Sequence, residues 1–249
     1  MEPMFDAVVV GAGPSGSSAA RVMSQAGLSV LLLDRESFPR YKTCGGGIIG
    51  VPRGVVPAGF PVREEITEVA FSTAGRRSAR RRSSSPVLST VARPEFDDWL
   101  VRLAVDAGAE FRPSTGVRRV AEAEGGVEIE TLAGETLRAR YLVDASGTSS
   151  RIARDIGVSL RTADLGLERE VDPGPELLAE WRGRVHLDWG PIPGSYAWVF
   201  PKADSLTVGV IAAKGRHEAL RDYLDDFVRN CGLDGARVIH DSGHLTRCR

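Results

Sequence analysis

The sequence has little cysteine, no excess of either charge and no long apolar segment, and each absence excludes a class of protein. Its three cysteines, Cys44, Cys231 and Cys248, are odd in number and widely spaced, which argues against a disulfide framework and favours a reducing compartment. Lys and Arg number 32 against 33 Asp and Glu, so no global field attracts nucleic acid or acidic lipid. No apolar run approaches the ~18 residues of a membrane span, and no basic region precedes the first apolar stretch. We therefore expect a cytoplasmic protein that binds no nucleic acid.

Histidine is also scarce. A protein metal site needs several His or Cys ligands that converge on one point. The spacing of the four histidines, His186, His217, His240 and His244, relative to the cysteines matches no such ligand pattern. We therefore predict no metal site. The sequence is instead rich in glycine, and its two most informative segments are glycine clusters.

The N-terminal segment has the pattern of a βαβ unit. Residues 5–11 form a valine-rich apolar run, which is typical of a strand buried on both faces of a parallel sheet. Residues 14–26 have the composition of a helix that Gly27 ends, and residues 28–33 form a second apolar run. The segment therefore predicts an α/β domain built on parallel strands.

Three glycines connect the first predicted strand to the first predicted helix. Gly11 allows the tight turn, Gly13 lets the backbone approach a pyrophosphate, and Gly16 allows close packing of the helix. The phosphate then meets the helix N-terminus, whose free N–H groups and dipole favour an anion. Asp34 ends the second strand, where a carboxylate hydrogen-bonds the adenosine ribose. We predict a dinucleotide site; the alternative is a purely structural turn.

Later segments predict an antiparallel layer, a β-meander and further helices. A glycine- and proline-rich irregular connection over 40–62 precedes this part, and an amphipathic helix begins at Pro94 and ends at Gly108. Alternating patterns predict the strands 65–72, 76–84, 87–92, 116–122, 127–132, 137–144, 184–189, 195–200 and 205–212, and a helix over 217–230. Arginines at 76, 77, 80, 81 and 82 lie among serines. We interpret them as a solvated sheet face or turn; the alternative is a phosphate-binding or membrane-surface patch.

The segment YLVDASGTSSRIARDIG ends the meander and favours FAD over a nicotinamide cofactor. It resembles the Asp-Gly motif of flavoproteins built like aromatic hydroxylases, with Asp144, Gly147, Ser150 and Arg151 in the corresponding places. Ser146 stands where that family often has Asp. The alternative is a strand-to-loop turn that uses Asp and Gly only for local geometry.

The segment RESFPRYKTCGGGI contains the second glycine cluster. Three successive glycines remove side chains from a backbone that must lie against a flat ring. The segment resembles the geranylgeranyl reductase family of flavoproteins. The resemblance continues in VARPEFDDWLVRLAVDAGAE and in GSYAWVFPKADSLTVGV, which is similar to the family's Tyr-x-Trp-x-Phe-Pro signature, and it covers nearly the whole chain.

The resemblance also implies which residues contact the cofactor and the substrate. It implies that Cys44 faces both flavin and substrate, although a lone cysteine is more often a small buried hydrophobe and no nucleophilic role follows. Tyr196, Trp198 and Phe200 alternate along one strand and share a face, where they wall an apolar tunnel or form ordinary core. Candidate catalytic residues are Cys44, Tyr196 and Trp198. The residues implied on FAD are Gly11, Gly13, Ser15, Gly16, Asp34, Arg35, Cys44, Gly45, Gly47, Arg93, Val117, Asp144 and Gly147.

The predicted fold class is α/β with an α+β substrate layer. A Rossmann-like FAD/NAD(P)-binding domain, residues 1–62 and 93–160, carries an inserted antiparallel-sheet substrate domain, residues 63–92 and 161–249. The resemblance implies a third FAD motif, a Gly-Asp-Ala-Ala-Gly turn, that no segment of this sequence matches. We therefore expect a chain truncated before that motif, with weak FAD binding and exposed apolar surface.

The resemblance implies an FAD-dependent oxidoreductase that reduces C=C bonds of an isoprenoid (geranylgeranyl) chain. NAD(P)H or ferredoxin would donate the electrons, the substrate would be an isoprenoid small molecule or lipid, and peripheral contact with a membrane is compatible with such a substrate. One alternative is a flavin-dependent monooxygenase or halogenase, since halogenases carry a Trp-x-Trp-x-Ile-Pro motif from which Tyr196 and Phe200 depart. The other is an inactive fragment with residual nucleotide binding.

Overall fold

The computed structural model describes residues 4–50, 55–148, 150–158 and 163–246, without the side chains of Arg77 and His217. The chain divides into two compact units, which we call the first unit (Met1–Tyr41 and Pro94–Leu160) and the second unit (Lys42–Arg93 and Arg161–Arg249). Within the described ranges, no helix has both the length and the apolar character that crossing a bilayer requires.

The described residues form strands and helices in alternating groups along the chain. In chain order they are β1 (Phe5–Val10), α1 (Pro14–Gln25), β2 (Val30–Leu33), β3 (Gly47–Ile49), β4 (Glu64–Ile66), β5 (Glu68–Thr73), β6 (Arg76–Arg82), β7 (Leu88–Thr90), α2 (Arg93–Asp106), β8 (Glu110–Arg112), β9 (Val117–Ala123), β10 (Gly126–Thr131), β11 (Thr136–Asp144), α3 (Arg151–Asp155), β12 (Asp164–Asp172), α4 (Pro175–Trp181), β13 (Arg184–Trp189), β14 (Tyr196–Pro201), β15 (Leu206–Ala213), α5 (His217–Asn230) and β16 (Arg237–Thr246).

The first unit is built on a six-stranded sheet in the order β8-β2-β1-β11-β10-β9. Strands β8, β2, β1 and β11 run parallel, and β11, β10 and β9 form the antiparallel meander. Val8 and Leu31 face one apolar cluster, whereas Val9 and Leu32 face another that includes Ala20 of α1. The predicted α/β nucleotide-binding fold is therefore confirmed, because β1 and β2 are buried on both faces as their apolar runs require.

The second unit is built on a seven-stranded sheet in the order β16-β12-β15-β14-β13-β5-β6, and a small sheet of β3, β7 and β4 accompanies it. Helix α5 covers one face, where Tyr223 and Phe227 pack with Val199 and Val208. The opposite face, which we call the aromatic face, carries Trp198, Phe200 and Ile211, and they pack with Ile66 and Leu88 of the small sheet.

Several elements differ from the sequence-based expectation. The predicted strand 65–72 is two strands, β4 and β5, because the chain changes sheets after Ile66. The connection 40–62 contains β3, which pairs with β7, and the contacts group residues 42–62 with the second unit. Strands β8, β12 and β16 and helices α3 and α4 have no counterpart among the predicted elements. The cofactor and substrate roles of the two units remain a prediction.

Candidate functional site

Two glycines of the turn in the first unit, Gly11 and Gly16, are required because the surrounding backbone leaves no room for a Cβ. Gly11 has φ +101°, and a Cβ there would overlap the carbonyl oxygen of Ala145. A Cβ on Gly16 would overlap the carbonyl oxygen of Gly11. These two glycines let α1 begin directly against the ends of β1 and β11, so they are explained without any ligand.

Gly13 is different, because no atom of the described residues requires a glycine at this position. Its φ of −73° suits any residue, and the nearest described atom to an added Cβ, Arg40 Nη2, lies 3.6 Å away. Gly13 is the N-cap of the 12-residue helix α1, whose first turn has no acidic residue. Open space, free helix N–H groups and the helix dipole together fit an anionic pyrophosphate.

Arg40 adds a positive charge beside this turn, and the sequence reasoning did not identify it. Its Nη1 lies 2.9 Å from Oδ2 of Asp97, whose side chain is fully buried. The guanidinium carbon lies 4.8 Å from the centroid of the Phe38 ring. Because Asp97 and Phe38 both contact the Arg40 guanidinium, its position is fixed, and a fixed guanidinium is suited to binding a phosphate.

Asp34 is buried at the end of β2 and ties the turn together. Its Oδ2 accepts the Ala12 N–H at 2.7 Å and its Oδ1 accepts the Glu36 N–H at 2.9 Å. Each carboxylate oxygen has a second lone pair, so the group retains capacity for a ribose hydroxyl. The Thr115 N–H donates to the Asp34 carbonyl at 2.7 Å.

Three other residues predicted on FAD lie around this part of the first unit. Ser15 is exposed in the first turn of α1. Arg35 is exposed, with its Nε 3.2 Å from Oε1 of Glu36. Val117 is half-buried and packs against the apolar cluster of β1 and β2, so a role at the cofactor remains a prediction for it.

The Asp144 segment lies at the same sheet edge as the glycine turn, because β1 and β11 are parallel neighbours that end together. Asp144 Oδ1 accepts the Ser146 N–H at 3.0 Å, and its Oδ2 accepts the Ser150 hydroxyl. Ser150 in turn caps α3 by accepting the Ala153 N–H at 2.9 Å. Gly147 has φ +90°. These hydrogen bonds and the positive φ account for Asp144 and Gly147 as residues that shape the local turn. A dinucleotide site also needs the Asp144 segment and the glycine turn to lie at the same sheet edge, as they do here.

In the second unit the three-glycine segment lies directly against aromatic rings. A Cβ on Gly45 would lie 2.8 Å from both Trp198 Nε1 and Phe200 Cδ2, and one on Gly47 would lie 2.9 Å from Phe200 Cε2. Gly46 has φ +76°, and a Cβ there would overlap the Val91 carbonyl oxygen. The flat rings that exclude side chains from this backbone are therefore, within this unit, those of Trp198 and Phe200.

The aromatic side chains of β14 form a row along one face. The ring centroids of Tyr196 and Trp198 lie 5.7 Å apart, and those of Trp198 and Phe200 lie 6.5 Å apart. Gly209 of β15 lies beneath the Trp198 ring, where a Cβ would overlap the indole. Trp198 Nε1 is buried and has no hydrogen-bond partner among the residues that the structure describes.

Glu168 on β12 is the most unusual polar side chain of the second unit, and the sequence reasoning missed it. It is 2% exposed, and its Oε1 accepts the Cys44 N–H at 3.1 Å. Burial raises its pKa from 4.5 to about 7, against the opposing effect of the positive charge on Lys202. Arg93 also lowers the pKa of Glu168 by its charge. Three predicted residues, Cys44, Gly45 and Arg93, are thus grouped with an unpredicted carboxyl.

The segment before Cys44 is held by β16. The Thr43 hydroxyl donates to the Ser242 hydroxyl at 3.0 Å, and Lys42 Nζ lies 2.9 Å from His244 Nε2. Burial, followed by the charge of Lys42, lowers the pKa of His244. Residues 42–44 are therefore fixed on the aromatic face by side chains of two different strands, β12 and β16.

The arginine cluster forms an edge strand of the second unit. Strand β6 pairs with β5 on one side only, and Arg82 lies 2.7 Å from Glu68, with Arg80 at 3.9 Å from the same carboxylate. The described arginine side chains are exposed. Exposed charges along a sheet edge oppose pairing with other chains, which agrees with the interpretation of a solvated face.

Known proteins resemble this chain over nearly its whole length. Digeranylgeranylglycerophospholipid reductase 1 of Methanopyrus kandleri is 36% identical, over 90% of this chain and 62% of that protein. The geranylgeranyl diphosphate reductase of Rhodobacter capsulatus is 29% identical, over 96% of this chain and 62% of that protein. The chain spans about three fifths of the length of these curated relatives.

Solved structures show the same fold. A geranylgeranyl bacteriochlorophyll reductase-like protein from Thermoplasma acidophilum matches with a TM-score of 0.83 and 26% identity, over 97% of this chain and 66% of that one. The myxobacterial chondrochloren halogenase matches with a TM-score of 0.74 and 22% identity, over 97% and 64%. The likeness to the halogenase therefore shows the fold alone, whereas the curated reductases are similar to this chain in sequence.

These matches confirm the resemblance to geranylgeranyl reductases and the prediction of FAD as cofactor. The model of the FAD binding domain family matches residues 4–171, which is more than half of the chain and includes the glycine turn, Asp34 and the Asp144 segment. The open space at Gly13 and the unopposed N-terminus of α1 fit the phosphates of that cofactor. The chain belongs to the FAD binding domain family.

Proposed function

We propose that this chain provides the nucleotide-binding part and the substrate-binding part of an FAD-dependent oxidoreductase that reduces C=C bonds of a geranylgeranyl-type isoprenoid. The observation that carries the proposal is the packing of Gly45 and Gly47 against Trp198 and Phe200, which joins two of the segments that resemble the geranylgeranyl reductase family. The reductase names of those relatives support the substrate class.

In this proposal the first unit holds the nucleotide end of FAD. The N-terminus of α1 at Gly13 binds the pyrophosphate, Arg40 contributes positive charge, and Asp34 accepts a ribose hydroxyl. The exposed Ser15 lies in the same helical turn. Arg35, Val117, Asp144 and Gly147 are proposed contacts on the same basis of resemblance. When bound, FAD supplies the hydride equivalent for the reduction.

The second unit, in this proposal, positions the isoprenoid. Tyr196 and Trp198 offer ring surface along one strand, and an apolar chain lying on this surface is held away from water. Gly45 lies against the same rings and Cys44 precedes it, so this segment limits how the isoprenoid lies. Because the cofactor supplies the redox chemistry, the main contributions of the protein are orientation and exclusion of water.

The test is an anaerobic single-turnover reaction. The chain is titrated with FAD, the bound cofactor is reduced with dithionite, and geranylgeranyl diphosphate or a digeranylgeranyl phospholipid is added. We expect mass spectrometry to show a gain of one H2 per reduced bond. A monooxygenase or halogenase would instead give an unchanged isoprenoid without oxygen and an oxygenated or halogenated aromatic product with it. NAD(P)H and reduced ferredoxin are then compared as donors.

An isoprenoid lipid resides in a membrane, so the proposal includes peripheral contact with one. Co-sedimentation with vesicles that contain the lipid substrate tests this part. If vesicle binding by the protein is independent of the isoprenoid and increases with the anionic lipid content, the arginine-rich strand β6 is the membrane-binding surface instead, because its exposed charges are attracted to acidic headgroups.

A further inference from the structure

Glu168 carries a carboxyl oxygen that the described structure leaves without a partner. Its Oε1 accepts the Cys44 N–H, but its Oε2 is buried and has no hydrogen-bond partner within the described part of the chain. An unpaired, buried, ionised oxygen costs several kcal/mol. Proteins keep such groups where a proton or a ligand completes them.

The sheet register places Glu168 beside the aromatic row. Glu168 is directly opposite Gly209 on β15, and Gly209 is directly opposite Trp198 on β14. Directly opposed residues of antiparallel strands share a face, and Gly209 has no side chain to separate the other two. The carboxyl and the indole therefore lie on the same face of the sheet, with Gly45 against the indole nitrogen.

The charged groups that act on this carboxyl have opposing effects on its ionisation. Lys202, in the connection after β14, and Arg93, at the start of α2, favour the ionised form. Glu170 on the same strand opposes ionisation, and burial opposes it most strongly. Because the resulting pKa is about 7, Glu168 is able to hold a proton at neutral pH and to release it into a site that stabilises the anion.

Reduction of a C=C bond requires a proton as well as a hydride, and no proton donor was identified from the sequence. We propose that Glu168 donates this proton, an inference that rests on the proposed function. Bound reduced FAD would supply the hydride equivalent to one alkene carbon, and the Glu168 carboxyl would give its proton to the other. The carboxylate that remains is stabilised by the Cys44 N–H and the charges of Lys202 and Arg93, and solvent reprotonates it after the product leaves.

The experiment compares Glu168→Gln with Glu170→Gln as a matched control in the anaerobic single-turnover reaction. Gln retains an oxygen for the Cys44 N–H but donates no acidic proton. General acid catalysis contributes 10²–10⁴-fold, so we expect Glu168→Gln to reduce the C=C reduction rate roughly a hundredfold while FAD binding and dithionite reduction are unchanged. Glu170→Gln should retain the rate measured well below pH 7, where Glu168 is protonated in both proteins, because the Glu170 carboxylate instead accepts the Ser205 hydroxyl.

The pH profile separates a proton donor from a structural residue. A donor must be protonated, so the wild-type rate should fall as pH rises through about 7, and this fall should be absent in Glu168→Gln. Removing the Glu170 charge should move the fall to lower pH. Independently of turnover, infrared difference spectra should show a carboxyl band that titrates near neutral pH and is missing only in Glu168→Gln.

The outcomes are distinguishable from those of the proposed function. If the wild type with reduced FAD yields no saturated product, the reductase function fails and the donor role fails with it. If the wild type reduces the isoprenoid and Glu168→Gln does so at the same rate with the same pH profile, only the donor role is overturned. Should Glu168→Gln fail to fold, Glu168→Asp replaces it: a retained pH-dependent fall with a lower rate supports the donor, and a wild-type rate contradicts it.

Discussion

Gly13 and Gly16 lie three residues apart in one turn, but they are glycine for different reasons. At Gly16 the protein itself leaves no room for a Cβ, whereas at Gly13 the nearest described atom to one is 3.6 Å away. We expect Gly13→Ala to lower FAD affinity about tenfold or more while changing the free energy of unfolding by less than about 1 kcal/mol. Gly16→Ala, the control, should destabilise the fold because its Cβ meets backbone.

Isothermal titration with FAD and urea unfolding measure the two quantities for both variants. The interpretation of Gly13 as a ligand position would be wrong if Gly13→Ala bound FAD as tightly as the wild type. It would be equally wrong if the substitution reduced stability as much as Gly16→Ala does, since Gly13 would then be a packing glycine.

The carboxyl of Glu168 also makes stability depend on pH in an unusual direction. Its folded-state pKa of about 7 lies above 4.5, so between these values the folded state binds the proton and the unfolded state does not. The contribution is fully present below pH 4.5 and is lost as pH rises through about 7, by up to about 3 kcal/mol. We expect Glu168→Gln to be more stable than the wild type at pH 8 and to lose this advantage at pH 5.

Urea unfolding at the two pH values measures this difference. Glu170→Gln serves as the comparison, because it removes a carboxylate from the same strand and leaves the Glu168 carboxyl in place. A stability difference between Glu168→Gln and the wild type that is the same at pH 5 and pH 8 would contradict a carboxyl that is protonated in the folded state near neutral pH.

Among the elements, helix α5 is joined to its sheet by a buried polar contact as well as by apolar packing. The Tyr223 hydroxyl donates to Oδ2 of the fully buried Asp188 at 2.7 Å, and Asp188 also accepts from the Ser72 hydroxyl and the Gly75 N–H. Burial and the Asp188 carboxylate raise the pKa of Tyr223, so the phenol stays a donor. Burial likewise raises the pKa of the nearby Cys231 thiol to about 12, which makes that thiol unreactive.

Tyr223→Phe removes the hydroxyl and leaves a carboxylate oxygen of Asp188 less well paired. We expect the free energy of unfolding to fall by about 1–3 kcal/mol, measured by urea denaturation. Tyr141→Phe is the control, because Tyr141 is 66% exposed and surface changes of this kind stay within about 0.5 kcal/mol. Equal stability of the two variants would show that apolar packing alone docks α5.

The elements that the sequence predicted correctly are those with a local signal. The apolar runs of β1 and β2, the glycine stop of α1 and the alternation in β14 and β15 each lie within one short segment. Strands β12 and β16 escaped prediction because Arg169 and Asp241 interrupt the apolar positions on the face that α5 covers, and because polar residues occupy the aromatic face. Glu168 is one of those polar residues, and its importance depends on Cys44, which lies 124 positions earlier in the chain.

The whole molecule shows the same limit of sequence reasoning. Arg40 has no distinguishing local pattern, and it is Asp97 on α2 that fixes it near Gly13. The three-glycine segment was predicted to lie against a flat ring, and within its own unit the rings are those of Trp198 and Phe200. The sequence motifs were therefore sufficient to identify the family. Charged residues beside those motifs, such as Arg40, could be found only from the folded structure.

At this scale the central proposal is that one chain provides both an FAD site and an isoprenoid-binding face. The most direct test quantifies flavin oxidation and isoprenoid reduction together, without oxygen, in the chain titrated with FAD and reduced with dithionite. We predict that each oxidised flavin accompanies the gain of one H2 by the geranylgeranyl substrate, as measured by absorbance and mass spectrometry. Reduced flavin that persists beside an unchanged isoprenoid, or a chain that takes up no FAD, would contradict the account.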